Sequence, residues 1–138
     1  MLTTVYLGIG SNLGNRRRNI NKAIAKLKHI AGVKITKTSK IIETLPQGGP
    51  PQNKFLNGVI EIKTSLMPFK LLSQLKKIEK ELGRVKGVVN GPRVIDLDIL
   101  TFGKMRINTP RLKIPHPRMH EREFVVNPLK ELLEKCDS

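Results

Sequence analysis

Residues 55–83, FLNGVIEIKTSLMPFKLLSQLKKIEKELG, hold a strand and a helix back to back. From Phe55 to Lys63 the chain is rich in apolar and β-branched residues, with Val59 and Glu61 opposite in face to Ile60 and Ile62, which predicts a strand. Pro68 then predicts a helix start, because its missing N–H costs nothing in a first turn. Leu71, Leu72, Leu75, Ile78 and Leu82 mark the buried face of that helix, and Gly83 is placed to cap its end. Upstream, the same kind of pair recurs. Residues 3–9, TTVYLGI, predict a short buried strand, and Gly8, Gly10 and Gly14 punctuate a turn. Ile20, Ala23, Ile24, Leu27, Ile30 and Ala31 then share one face of a 3.6-residue period, which Gly32 ends. Residues 33–43 are β-branched and largely alternating, so they predict another strand, and residues 93–101, RVIDLDILT, predict the last. The stretches between, TLPQGGPPQNK at 44–54 and the basic RVKGVVNGP at 84–92, read as loops. The order β-α-β-β-α-β predicts an α+β fold: a ferredoxin-like antiparallel sheet with helices packed on it. Residues 102–138 form a C-terminal extension, with a hairpin near 105–114, a Pro-His-Pro turn at 115–117 and a short helix from Pro128 to about Lys135.

The whole chain, 138 residues, is one domain's worth. A chain of this size buries roughly two-thirds of the surface its unfolded form exposes, so a core forms without staples. Hydrophobic residues at 38% and charged residues at 27% suit a soluble globular protein, and there is no apolar run long enough to span a membrane. The start, Met1-Leu-Thr-Thr-Val-Tyr-Leu, lacks a basic n-region and a long apolar segment, so it does not read as a signal peptide. Cys136 stands alone, which excludes an internal disulfide and a cysteine-based zinc site and fits a reducing cytoplasm. The expectation is a cytoplasmic monomer. Lys and Arg number 26 against 11 Asp and Glu, a net charge of +15. Such a chain attracts polyanions, although runs such as Arg16-Arg17-Arg18 and Lys76-Lys77 also read as solvated helix faces.

The chemistry concentrates in Gly91-Pro92-Arg93-Val94-Ile95-Asp96-Leu97-Asp98-Ile99-Leu100. Residues two apart in a strand share a face, so Asp96 and Asp98 project together while Leu97 and Ile99 take the core side. Two hard carboxylates side by side suit Mg²⁺, which keeps positions for water and phosphate. They would also suit a pair of ions roughly 3.5–4 Å apart, as in phosphoryl-transfer sites. The alternative is a solvated strand face that happens to carry two Asp. Weighing against it, acids are scarce in this chain, and like charges repel across a strand face unless a cation sits between them. Arg93 and the basic loop before it would face the same phosphates.

Other clusters are less decisive taken singly. Gly8-Ile-Gly10-Ser11-Asn12-Leu13 has only the first half of a dinucleotide fingerprint, and Ser11 or Asn12 is expected to cap the first helix. Phe55 and Asn57 share a strand face close to Thr44, an arrangement that would let a flat heterocycle stack while Asn57 reads its edge. The competing reading makes Phe55 core and Asn57 a turn residue. Arg111, His116, Arg118, His120, Arg122 and Phe124 form a basic cluster able to grip polyphosphate. Zinc is disfavoured there, because Pro117 breaks a helix through both histidines.

Taken together, these motifs resemble the hydroxymethyl-dihydropterin pyrophosphokinases of folate biosynthesis. The likeness runs from Gly8-Ile-Gly10-Ser11-Asn12-Leu13-Gly14 through Thr44, Phe55-Leu56-Asn57 and Gly83-Arg84. It continues in Gly91-Pro92-Arg93-x-x-Asp96-Leu97-Asp98, Pro115-His116-Pro117 and Arg122-x-Phe124. It implies a ferredoxin-like fold and transfer of the terminal diphosphate of ATP to the pterin hydroxymethyl group, releasing AMP. It implies two Mg²⁺ ions on Asp96 and Asp98, Phe55 and Phe124 sandwiching the pterin, and Asn57 with Thr44 reading its edge. Arg84 and Arg93 would contact the transferring phosphates, with Arg111, His116, Arg122 and Glu79 on the nucleotide side. Two local departures stand out: Thr44-Leu45-Pro46 where some members carry Thr-Pro-Pro, and no Trp in the 84–92 loop. The rival reading is an RNA-binding module on the same fold. The aromatic RNP string such modules carry is missing, and two Asp would repel a phosphate backbone.

Overall fold

The computed structural model describes residues 1–45, 51–83 and 92–117. In chain order these form β1 (Thr3–Ser11), α1 (Arg16–Lys28), β2 (Val33–Thr38), β3 (Ile42–Thr44), β4 (Phe55–Thr64), α2 (Pro68–Glu81) and β5 (Asp96–Phe102). A two-stranded hairpin follows, β6 (Ile107–Asn108) with β7 (Lys113–Ile114). The main sheet runs β2-β4-β1-β5, with β3 pairing β4 as well, and every pair is antiparallel. That is the expected ferredoxin-like α+β arrangement. The predicted helix at 128–135 lies outside the described residues.

Alternation along the strands decides which face is dry. Val5, Leu7 and Ile9 of β1, Ile60 and Ile62 of β4, and Leu97, Ile99 and Phe102 of β5 form one cluster with Ile20, Ala23 and Leu27 of α1 and Leu71, Leu75 and Ile78 of α2. Each such fully buried Val, Leu, Ile or Phe side chain is worth about 1.5–3 kcal/mol over an exposed one. Leu112 and Ile114 join the cluster and dock the small hairpin on the sheet. The opposite face carries Tyr6, Gly8 and Gly10 of β1, Asn57, Val59 and Glu61 of β4, and Asp96 and Asp98 of β5.

Local structure departs from expectation in three places, each for a tertiary reason. The first helix is capped by Asn15, whose side chain accepts from the Arg18 N–H at 3.1 Å, and not by Ser11 or Asn12, both of which are buried. The strand expected at 33–43 splits into β2 and β3. Thr36 is the extra residue in a register shift, and its hydroxyl turns to Glu61 at 2.7 Å. At the break, Ser39 replaces ladder pairing: its N–H donates to Val59 O at 2.9 Å and its Oγ accepts the Val59 N–H at 2.8 Å. The last strand starts at Asp96 rather than residue 93, because Asn12 takes up the Arg93 backbone. Within β5, Leu100 is an extra residue between the Leu7–Ile99 and Tyr6–Thr101 pairs. Its carbonyl accepts the His116 N–H at 2.9 Å, which ties the chain after the hairpin to β5.

Candidate active site

Strand register assembles the site. Gly10 pairs with Asn57 on one side and Asp96 on the other; Gly8 pairs with Val59 and Asp98. Two rows therefore cross three strands on one face, with glycines in the middle. Neighbouring strands lie about 4.8 Å apart, so Asn57 and Asp96 rise about 10 Å from each other across a trough floored by Gly10. Glycine leaves Asn57 its place there: a Cβ at position 10 would meet Asn57 Oδ1 and push that side chain aside.

On the β4 wall, Asn57 Nδ2 donates to Thr44 Oγ1 at 2.5 Å, and Thr44 in turn pairs with Phe55 across β3 and β4. Thr44, Phe55 and Asn57 thus come together, each half-buried, with Phe55 on the Asn57 face. Phe124, the other expected stacking residue, lies outside the described residues, as do Arg84 and Arg122.

On the β5 wall, Asp96 and Asp98 are half-buried and project from one face, while Leu97 and Ile99 are in the core. Among the described residues no three His, Cys, Asp or Glu gather around one point. A carboxylate pair with glycines across the strand fits a hard cation that takes its remaining oxygens from water and phosphate. Outside β5, between α2 and the hairpin, lies a cleft of about 220 Å³ lined by Lys76, Asp98, Arg111, Lys113, His116 and Pro117, among others. Arg111 and His116 both line it. The Arg111 guanidinium also sits 5.8 Å over the Phe69 ring, a cation–π contact that holds it at the rim. Arg93 is half-buried with its backbone fixed by Asn12.

Glu79 is placed differently from a cleft-lining group. It is 2% exposed; Oε2 accepts the Leu97 N–H at 2.9 Å, and Oε1 lies 3.4 Å from Lys76 Nζ. It holds the backbone between the two Asp and steadies a lysine at the cleft. Lys76 is itself exposed, as a solvated helix face predicts, and lies one turn before Glu79 on α2.

Two rows of polar side chains on one face of a ferredoxin-like sheet, beside a basic cleft, define a class: an α+β domain with paired carboxylates on its edge strand. Within that class, the sequence profile of 7,8-dihydro-6-hydroxymethylpterin-pyrophosphokinase matches residues 6–134, and the chain belongs to that family. It is 47% identical over 137 residues to the 2-amino-4-hydroxy-6-hydroxymethyldihydropteridine pyrophosphokinase of Bacillus subtilis (strain 168), covering 99% of this chain and 82% of that one. The enzyme of the same name from Aquifex aeolicus (strain VF5) is 47% identical over 131 residues, 95% of this chain and 81% of its own. A mitochondrial folate synthesis bifunctional protein of Arabidopsis thaliana is 46% identical over 129 residues, which are 94% of this chain and 23% of that protein.

Proposed function

We propose that the trough over Gly8 and Gly10 is where ATP and 6-hydroxymethyl-7,8-dihydropterin meet. The family's reaction moves the diphosphate of ATP to the pterin hydroxymethyl group, a step of folate biosynthesis. The pterin hydroxyl oxygen forms a bond to the β-phosphorus and gives up its proton to solvent, the bond from that phosphorus to the α-phosphate oxygen breaks, and AMP leaves.

The observation that carries the assignment of sides is the Asn57–Gly10–Asp96 row. Asn57, oriented by Thr44, reads the pterin edge, and Phe55 beside it stacks on the ring. Across the trough, Asp96 and Asp98 hold two Mg²⁺ ions, which when bound neutralise phosphate charge. Arg93 joins them at the transferring phosphates, while Arg111 and His116 take the nucleotide in the basic cleft. Arg84, Arg122 and Phe124 complete the phosphate and pterin contacts. Phosphoryl transfer requires positioning and charge neutralisation above all, and this donor set supplies both. Residues 1–138 act as one domain, a monomer in the cytoplasm, on small molecules and not on nucleic acid or membrane. No helix among the described residues is long and apolar enough to cross a membrane. The sheet face also presents two Asp, which would repel a nucleic-acid phosphate backbone.

AMP release from ATP on addition of 6-hydroxymethyl-7,8-dihydropterin, with and without Mg²⁺, tests the reading. Pterin-dependent AMP that vanishes with chelation is the expected result. Turnover unaffected by chelation would remove the metal from Asp96 and Asp98, and no pterin-dependent AMP would remove the substrate assignment.

A further inference from the structure

Asn12 is 1% exposed, and its amide joins the two walls of the trough. Its Oδ1 accepts the Arg93 N–H at 2.7 Å, and its own N–H donates to Arg93 O at 3.0 Å. Its Nδ2 donates to Gln52 Oε1 at 2.7 Å and to Asn53 O at 3.0 Å. The amide cannot be turned over: one end faces a backbone N–H and the other a backbone carbonyl, and neither can exchange roles. Arg93 lies three residues before Asp96, and Gln52 and Asn53 lie just before Phe55 and Asn57. One buried side chain at the end of β1 therefore holds the chain entering the carboxylate wall with its oxygen. It holds the chain entering the heterocycle wall with its nitrogen.

We infer that Asn12 is a positioning residue for both substrate sites, with separable atoms for each: Oδ1 sets the phosphate side through Arg93, and Nδ2 sets the pterin side through Gln52 and Asn53. The inference rests on the proposed function for the identity of the two ligands. Three variants separate the atoms. Asn12→Asp keeps the acceptor for Arg93 N–H and loses both donations. Gln52→Ala removes one partner of Nδ2 and leaves the Arg93 side intact. Asn12→Ala removes all three side-chain bonds and keeps only the backbone N–H to Arg93 O.

The experiment compares KM for pterin, KM for ATP and kcat across these variants, with amide exchange at Arg93 followed in the ligand-free protein. Losing a bond that leaves a buried partner unsatisfied moves an equilibrium roughly five- to hundredfold. Asn12→Asp should raise the pterin KM by about tenfold while leaving the ATP KM within about twofold and Arg93 exchange slow. Gln52→Ala should do the same to a smaller degree. Asn12→Ala should raise both KM values, lower kcat and speed Arg93 exchange. Equal changes in both KM values for Asn12→Asp, or no change in either, would overturn the division of labour. So would unchanged Arg93 exchange in Asn12→Ala. If Asn12→Ala does not fold, Gln52→Ala and Asn12→Asp still decide. Wild-type AMP release tests the functional reading separately, because Arg93 exchange needs no ligand.

Discussion

Two groups of carboxylates stand on the same face of the same sheet and are handled in opposite ways. Glu61 is 4% exposed, and its oxygens are taken by Tyr6 Oη at 2.6 Å and Thr36 Oγ1 at 2.7 Å, with Lys37 and Lys63 nearby. Burial alone would raise its pKa; the two hydroxyls and the two lysines outweigh that and hold it below the ordinary 4.5. On β5, Asp96 and Asp98 are half-buried, and their partners on the neighbouring β1 are Gly10 and Gly8, which bring no side chain. Where the neighbouring strand supplies hydroxyls, the carboxylate belongs to the structure. Where it supplies glycines, no side chain from that strand reaches the carboxylates.

The largest test of that contrast is removal of either aspartate. Asp96→Ala and Asp98→Ala should each lower turnover by at least roughly 10²–10³-fold, the scale for losing an electrostatic stabiliser at a reacting phosphate, with the melting temperature unchanged or raised. Near wild-type AMP production by either variant would break the comparison on its functional side.

Glu61→Ala should behave in the reverse way. It leaves Tyr6 and Thr36 without their acceptor and should cost about 1–3 kcal/mol in denaturant unfolding, with turnover per folded molecule retained. A stable but inactive Glu61→Ala would place Glu61 in the chemistry instead.

The glycine floor sharpens the argument further. A methyl at position 10 meets Asn57 Oδ1, the far end of a side chain, so Gly10→Ala should displace Asn57 at little cost in stability while weakening pterin binding about tenfold. A methyl at position 8 finds its nearest atom, Leu100 Cδ2, at 3.5 Å, an ordinary contact. Calorimetry should therefore show pterin affinity for Gly8→Ala within about twofold of wild type. Equal losses at both positions would mean that the pterin does not lie over Gly10.

The smallest effect is on acid stability. A carboxylate with a depressed folded pKa contributes stability that is present above its unfolded value and lost as pH falls through the folded one. Stability of the wild type should therefore decline below pH 4.5 in part through Glu61, and Glu61→Gln should show a shallower decline over that range. Chemical denaturation at stepped pH gives the two curves; identical slopes would show that Glu61 is not held ionised by its neighbours.

Local information was enough for much of this molecule. Periodicity in residues 16–28 and 68–81 placed both helices, alternation placed the strands except for the break between β2 and β3 and the start of β5, and a strand through Asp96-Leu97-Asp98 put both carboxylates on one face. The family likeness carried Thr44, Phe55 and Asn57 to one pocket, and the structure brings those three together. Asn12 was misread because Ser11, Asn12 and Asn15 all precede the helix, and each has a side chain that caps well. Locally they are equivalent; what separates them is that Asn12 meets Arg93, 81 residues away, while Asn15 stays at the surface. Glu79 followed the same course: helix spacing placed it on α2, but only packing against β5 turned its carboxylate to the Leu97 N–H. The row Asn57–Gly10–Asp96 likewise has no signature in any one segment. It depends on the registers of two strand pairs, and a slip of one residue in either would turn one wall of the site into the core. Sequence alone therefore determined which elements form and which residue types the site contains. Register, set by long-range burial of the other face, decided which of them face each other.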